Sequence, residues 1–158
     1  MGIFPFLKKK PFFSPEENDK IVAAIRHAEE CTSGEVRVFV EKRCRFMDPL
    51  DRAVEIFAEL QMQNTIHRNA VLVYVALKDR QLAIYGDSGI NEKTGEQYWR
   101  DEVSVMLSEF NKHCYADGIT KCVIDIGQAL QHYFPYIKEE DKNELPDEHF
   151  CRHVWVQS

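Results

Sequence analysis

Asn69-Ala70-Val71-Leu72-Val73-Tyr74-Val75-Ala76-Leu77-Lys78-Asp79-Arg80-Gln81-Leu82-Ala83-Ile84-Tyr85-Gly86-Asp87-Ser88-Gly89 is the stretch that decides the architecture. Residues 70–77 are almost wholly apolar and rich in β-branched side chains, which predicts a central strand covered on both faces. Lys78-Asp79-Arg80 is a tight connection, and 81–85 returns as the antiparallel partner. The two glycines of 86–89 then end the hairpin. Upstream, 35–43 alternates Val36, Val38 and Val40 against Arg37, Phe39 and Glu41, the period-2 pattern of a half-buried strand. Between these strands Asp48-Pro49 opens a helix with Leu50, Val54, Phe57 and Leu60 on one stripe. A strand, helix, strand unit of this length is a right-handed crossover, so its two strands are expected to be parallel.

Further outward, Ser14-Pro15-Glu16-Glu17 is a capping box with proline at the first helical position. Ile21, Ala24, Ile25 and Ala28 follow at helical spacing, and Thr32-Ser33-Gly34 breaks the helix after Cys31. Downstream, Thr94-Gly95-Glu96-Gln97 predicts the start of a helix with Trp99, Val103, Met106 and Phe110 inward. A last helix from about Asp117 carries Ile119, Val123, Ile126, Leu130 and Tyr133 until Pro135 stops it. The chain therefore divides into an aromatic arm at 1–13, an α/β domain at 14–136 with a small mixed sheet between helices, and a charged tail at 137–158.

Length and composition agree with one domain. The 158 residues are 44% hydrophobic and 29% charged, an ordinary globular balance. Acidic side chains outnumber basic ones by 26 to 20, a formal charge of -6 that argues against nucleic acid as partner. No apolar run reaches the roughly 18 residues that span a bilayer. The first ten residues place their lysines after the apolar part, the reverse of a secretory signal, and Phe6 stands where myristoylation needs Ser or Thr. Five cysteines without a C-x-x-C pair fit reduced thiols, so a cytoplasmic protein is expected, and the chain is separately expected to be a monomer.

Three motifs suggest chemistry and then fail on it. Cys31 to Arg37 has the C-x5-R spacing of a phosphate-binding loop, but there the thiolate must sit before a helix, whereas Cys31 ends one and faces the negative end of its dipole. Gly86-Asp87-Ser88-Gly89 looks like a hydrolase nucleophile loop, yet no D-x-x-H follows to supply a base. The expected role is a turn whose glycines allow positive φ and whose Asp87 bonds nearby backbone. His149, Cys151 and His153 alternate as soft metal ligands but lack a fourth donor.

Several local patterns in their order resemble one family. Ser33-Gly34-Glu35-Val36-Arg37-Val38, Asn69 to Val75, Asp79 to Ile84 and Gly86-Asp87-Ser88-Gly89-Ile90-Asn91, with the later Phe134-Pro135-Tyr136 and Asn143-Glu144-Leu145-Pro146, are similar to the TPM domain and its small stand-alone bacterial members. The resemblance implies a three-layer α/β/α sandwich, binding of a divalent cation, and a weak metal-dependent acid phosphatase activity as the alternative function. Ala70 replaces the family's usual glycine, and Asn91 replaces an acidic residue.

If the crossover holds, the Gly34-Glu35 turn, Asn69 and the 86–92 loop lie at one end of the sheet. Glu35, Asp87, Asn91 and Glu92 then offer hard oxygens suited to Ca²⁺ or Mg²⁺. Asp48 and Asp79 form a rival pair at the other end, with Asp48 expected as a helix cap. With no complete nucleophile and base, the expected function is a cation-binding module in protein interaction or assembly. An apolar patch such as the aromatic arm would dock an unidentified protein partner.

Overall fold

The computed structural model describes residues 12–44 and 46–136, and 154–157 as backbone. The elements are α1 (Pro15–Glu30), β1 (Glu35–Glu41), α2 (Pro49–Glu59), β2 (Ala70–Ala76), β3 (Gln81–Gly86), α3 (Ser88–Thr94), α4 (Glu96–Asn111), α5 (Tyr115–Tyr133) and β4 (Val154–Gln157). The sheet order is β3-β2-β1-β4, with β1 parallel to β2 and to β4, and β3 antiparallel to β2. The crossover and hairpin expected from the sequence are both present. Two elements are additions: the short helix α3, and β4, which lies within the segment read as a tail.

Local chemistry explains where the helices begin. Ser14 Oγ accepts from Glu17 N at 3.1 Å and Glu17 Oε1 accepts from Ser14 N at 3.0 Å, the reciprocal capping box expected. Asp48 caps α2 through Leu50 N at 3.0 Å. The Thr94 cap does not form. Thr94 instead closes α3, its hydroxyl donating to Ile90 O at 3.3 Å, and Gly95 at φ +81° starts α4 without a side-chain cap. A left-handed glycine lets the chain turn from one helix straight into the next, which removes the need for a capping side chain. The turn after α1 is fastened to the end of α5, where Ser33 N donates to Phe134 O at 3.0 Å and Thr32 Oγ1 to Leu130 O at 3.1 Å.

The sheet separates two apolar layers, which completes the expected α/β/α sandwich. On one face Val36, Val38, Val40, Val71, Val73 and Val75 meet Ile21 and Ile25 of α1, Trp99 and Met106 of α4, and the inner stripe of α5. On the other, Phe39, Leu72, Tyr74 and Ala83 meet Ala53, Ile56 and Phe57 of α2.

Two expectations are corrected here. β1 is not half-buried: all seven residues are buried, Arg37 and Glu41 included, because β2 and β4 flank it and helices cover both faces. The buried Glu41 is met by partners. Glu41 accepts from Arg52 Nε at 2.9 Å and from the Tyr74 hydroxyl. Burial, and then that hydrogen bond, raises the Tyr74 phenol above its ordinary range. The α2 stripe is also rotated from the one expected. The helix meets the sheet through Ala53, Ile56 and Phe57, the last edge-on to Tyr85 with centroids 4.8 Å apart, and Leu50 and Val54 stay 47% and 42% exposed.

Candidate functional site

Strand register brings the start of β1, the start of β2 and the end of β3 to one end of the sheet, since Glu35 lies beside Ala70 and Val71 beside Gly86. The backbone of Glu35, Asn69 and the 86–92 loop gathers there. The side chains at this end already have partners. Asp87, 1% exposed, receives Arg68 Nε at 2.7 Å on Oδ2 and Arg68 Nη2 at 2.9 Å on Oδ1, and Oδ1 also accepts from Ser88 N at 2.8 Å. Such a fork-to-fork pair is the strong geometry for guanidinium and carboxylate. Arg68 itself is half exposed, with backbone φ +51°, and its carbonyl accepts from Gly89 N at 2.8 Å.

Asn91 Oδ1 accepts from Trp99 Nε1 at 2.9 Å, and Glu92 is exposed. Glu35 is buried beside Glu29 of α1, whose Oε2 accepts from Val36 N at 3.0 Å. Burial, and then the adjacent Glu35 charge, hold the Glu29 carboxyl well above the usual carboxylate range. Asn69 is fully buried. Its Nδ2 donates to Ser33 Oγ at 3.2 Å, whereas its Oδ1 has no hydrogen-bond partner among the described residues. A buried amide oxygen left bare carries a desolvation cost. In this arrangement no three His, Cys, Asp or Glu side chains among the described residues are grouped to hold a metal.

The glycines of 86–89 have a different purpose from the one expected. Neither has positive φ. A Cβ on Gly86 would lie 2.4 Å from Trp99 Cζ2, and one on Gly89 would lie 1.9 Å from His67 O, so both are present for close approach. Asp87 does bond nearby backbone, as N-cap of α3. No hydrogen bond joins Ser88 Oγ to an imidazole or carboxylate among the described residues. Cys31 is the C-cap of α1, at the negative end of its dipole. Asp48 and Asp79 are engaged at the far end of the sheet, where Asp79 accepts from Cys44 N at 2.8 Å. His149, Cys151 and His153 lie outside the described residues.

Sequence reasoning missed two features. One is Arg68 as partner of Asp87; its only signal was a lone cation two residues before the central strand, opposite the acid that follows the hairpin. The other is a groove of about 560 Å³ along β3, walled by Leu50 of α2 on one side and by Trp99 and Val103 of α4 on the other, with Arg68 and Asp87 at its end.

Residues 8–129 match the family model described as the TPM domain. Among solved structures, the NMR structure of the BA42 protein from the psychrophilic bacterium Bizionia argentinensis is similar, with 37% identity, a TM-score of 0.81, and coverage of 95% of this chain and 99% of that one. The N-terminal domain of a P. gingivalis protein matches at 15% identity and a TM-score of 0.64, over 83% of this chain and 82% of that one. The N-terminal domain of cg2496 from Corynebacterium glutamicum matches at 14% and 0.60, over 90% and 95%. The latter two show the likeness of fold alone. None of the curated proteins matches the chain. No helix among the described residues is long and apolar enough to cross a membrane.

Proposed function

This chain belongs to the TPM domain family, and from that premise we propose that it is a protein-interaction module whose 86–92 loop end takes up a hard divalent cation, Ca²⁺ or Mg²⁺. The observation that carries the reading is the Oδ1 of Asn69, which has no hydrogen-bond partner among the described residues and is buried at the same end of the sheet as Asp87 and Glu35. An amide oxygen with carboxylates nearby is a donor set for a hard ion. Asp87 would hold the ion once Arg68, half exposed, turns out to solvent; Glu35, Asn91 and Glu92 would complete the shell.

The interaction role is supported by the groove beside this end and by the apolar side chains that α2 leaves uncovered. Phosphomonoester hydrolysis, the alternative that the resemblance implies, has no supporting observation in the described residues. A ligand that binds only the folded chain stabilises it by about 2.7 kcal/mol at a hundredfold excess over Kd. For a domain of this size that raises the melting temperature by about 5–10 °C. A thermal melt in Ca²⁺, Mg²⁺ and chelator is the test, and coincident curves refute the proposal.

A further inference from the structure

The end of the sheet opposite the 86–92 loop gathers positive charge in a chain that is negative overall. β1 and β2 run out side by side there: Leu77 N donates to Glu41 O at 3.0 Å and Lys78 N to Lys42 O at 2.9 Å, so Lys42 and Lys78 are neighbours. Arg43 follows on one side and Arg80, in the turn of the hairpin, on the other. All four residues are exposed. The Lys42 charge, and then its contact with the amine, push Lys78 below the usual lysine range, as happens where cations crowd together without an anion between them.

The carboxylates at this end are otherwise engaged. Glu41 is buried on Arg52 and Tyr74, and Asp79 accepts from Cys44 N at 2.8 Å and lies 3.5 Å from Arg43 Nη1. Asp48 and Asp51 stand at the start of α2, where the positive end of the helix dipole offsets them. Lys42, Lys78 and Arg80 have no ion pair among the described residues.

One apolar side chain stands out beside these cations. Phe46 is 101% exposed, so no neighbour shields its ring, and its backbone φ is +65°. A bulky residue in the left-handed region persists only where its surroundings impose it. Here the turn is fastened to the hairpin through Cys44 N and Asp79, and is closed on itself by Cys44 Sγ, which donates to Met47 O at 3.4 Å. The fold thus holds an aromatic ring out in water next to unpaired cations. A protein partner would need a pocket for the ring with carboxylates placed around it. An anionic bilayer offers negative headgroups above an apolar layer at every point of its surface.

We propose that this end of the sheet docks on an anionic lipid bilayer, with Lys42, Arg43, Lys78 and Arg80 against the headgroups and the Phe46 ring inserted between them. The attachment is reversible, since one ring and a few cations fall short of a stable anchor. The acidic remainder of the chain is repelled by the same surface, which fixes the orientation and turns the 86–92 loop toward water. The inference is independent of the cation reading, whose residues lie at the other end of the sheet.

The test uses the full chain in chelator, sedimented with vesicles of phosphatidylcholine alone or mixed equally with phosphatidylserine. Binding should require the anionic lipid and fall steeply as salt is added. Lys78→Glu should weaken it at least about tenfold, whereas Arg26→Glu, the same change of charge at an exposed position of α1, should leave it unchanged. Phe46→Asn should weaken it at least about threefold and keep the fold, because asparagine tolerates the left-handed backbone. In bicelles of the mixed lipid carrying a spin label, broadening of the ¹⁵N-labelled amides should centre on Lys42, Phe46 and residues 78–80. Equal binding to neutral vesicles, undiminished binding of Lys78→Glu or Phe46→Asn, or broadening centred on the aromatic arm or the 86–92 loop would each overturn the proposal. So would capture of the chain by polyglutamate or an oligonucleotide in place of the vesicles.

Discussion

At the scale of residues, the pair of Arg68 and Asp87 holds the candidate site closed, and its two members are unequal. Asp87 is buried and Arg68 half exposed. Removing the arginine strands a buried carboxylate, whereas neutralising the aspartate releases a guanidinium that water can solvate. Arg68→Met is therefore expected to destabilise the chain more than Asp87→Asn does, although the latter also weakens the α3 cap. Urea denaturation in chelator measures both. The order should narrow when Ca²⁺ is added, since the ion takes the charge that Arg68 met. Equal losses with and without Ca²⁺ would mean that Arg68 is purely structural. The aspartate was legible in the sequence as a loop acid at the right end of the sheet. Its partner was not, because a residue with backbone φ +51° outside any regular element leaves no periodic trace.

At the scale of elements, the capping box of α1, the hairpin and the crossover follow from local spacing and were readable as such. Those features depend on a few neighbouring residues. The rotation of α2 depends on what lies beneath it. Its stripe of Leu50, Val54, Phe57 and Leu60 is as plausible from spacing as the face the fold selects, and only the sheet under Ala53, Ile56 and Phe57 decides between them. Leu50→Asn is accordingly expected to change stability by less than about 0.5 kcal/mol. Ile56→Ala should cost about 2–5 kcal/mol. Comparable losses in urea would contradict this orientation of the helix.

The contact between α4 and α5 has a pH dependence that no motif announced. Burial, and then the nearby Asp125 carboxylate, raise Glu102 from 4.5 to about 7, with Lys121 opposing. The folded chain therefore holds a proton that the unfolded chain releases between these values. Stability contributed here is greatest below pH 4.5, falls as the pH rises to about 7, and is flat beyond. Glu102→Gln should remove this fall and leave the variant more stable than the parent at pH 8, by on the order of 1–2 kcal/mol after solvent screening. Denaturation at pH 5 and pH 8 measures the difference. A parent chain equally stable at both, relative to the variant, would refute it.

At the scale of the whole molecule, the sheet works as a frame with two dissimilar ends. At one, Glu41, Arg52 and Tyr74 close a satisfied polar network, and Asp79 secures the chain after β1. At the other lie the buried Asp87 and Glu35 and the Asn69 amide oxygen, which has no hydrogen-bond partner among the described residues. The three-layer arrangement was legible because the crossover and hairpin fix which strands can be neighbours. β4 was not, since its four residues follow a charged stretch and pair with a strand more than a hundred positions earlier in the chain. Local patterns do not encode such a pairing.

A hard cation at the loop end should perturb the backbone amides around it. Titrating the ¹⁵N-labelled full chain with Ca²⁺ and Mg²⁺ while following backbone amides tests it most directly. The shifts should concentrate at Gly34, Asn69 and residues 86–93, saturate, and vanish in Asp87→Asn. Shifts gathered around Asp48 and Asp79, or a spectrum unchanged at saturating ion, would contradict it.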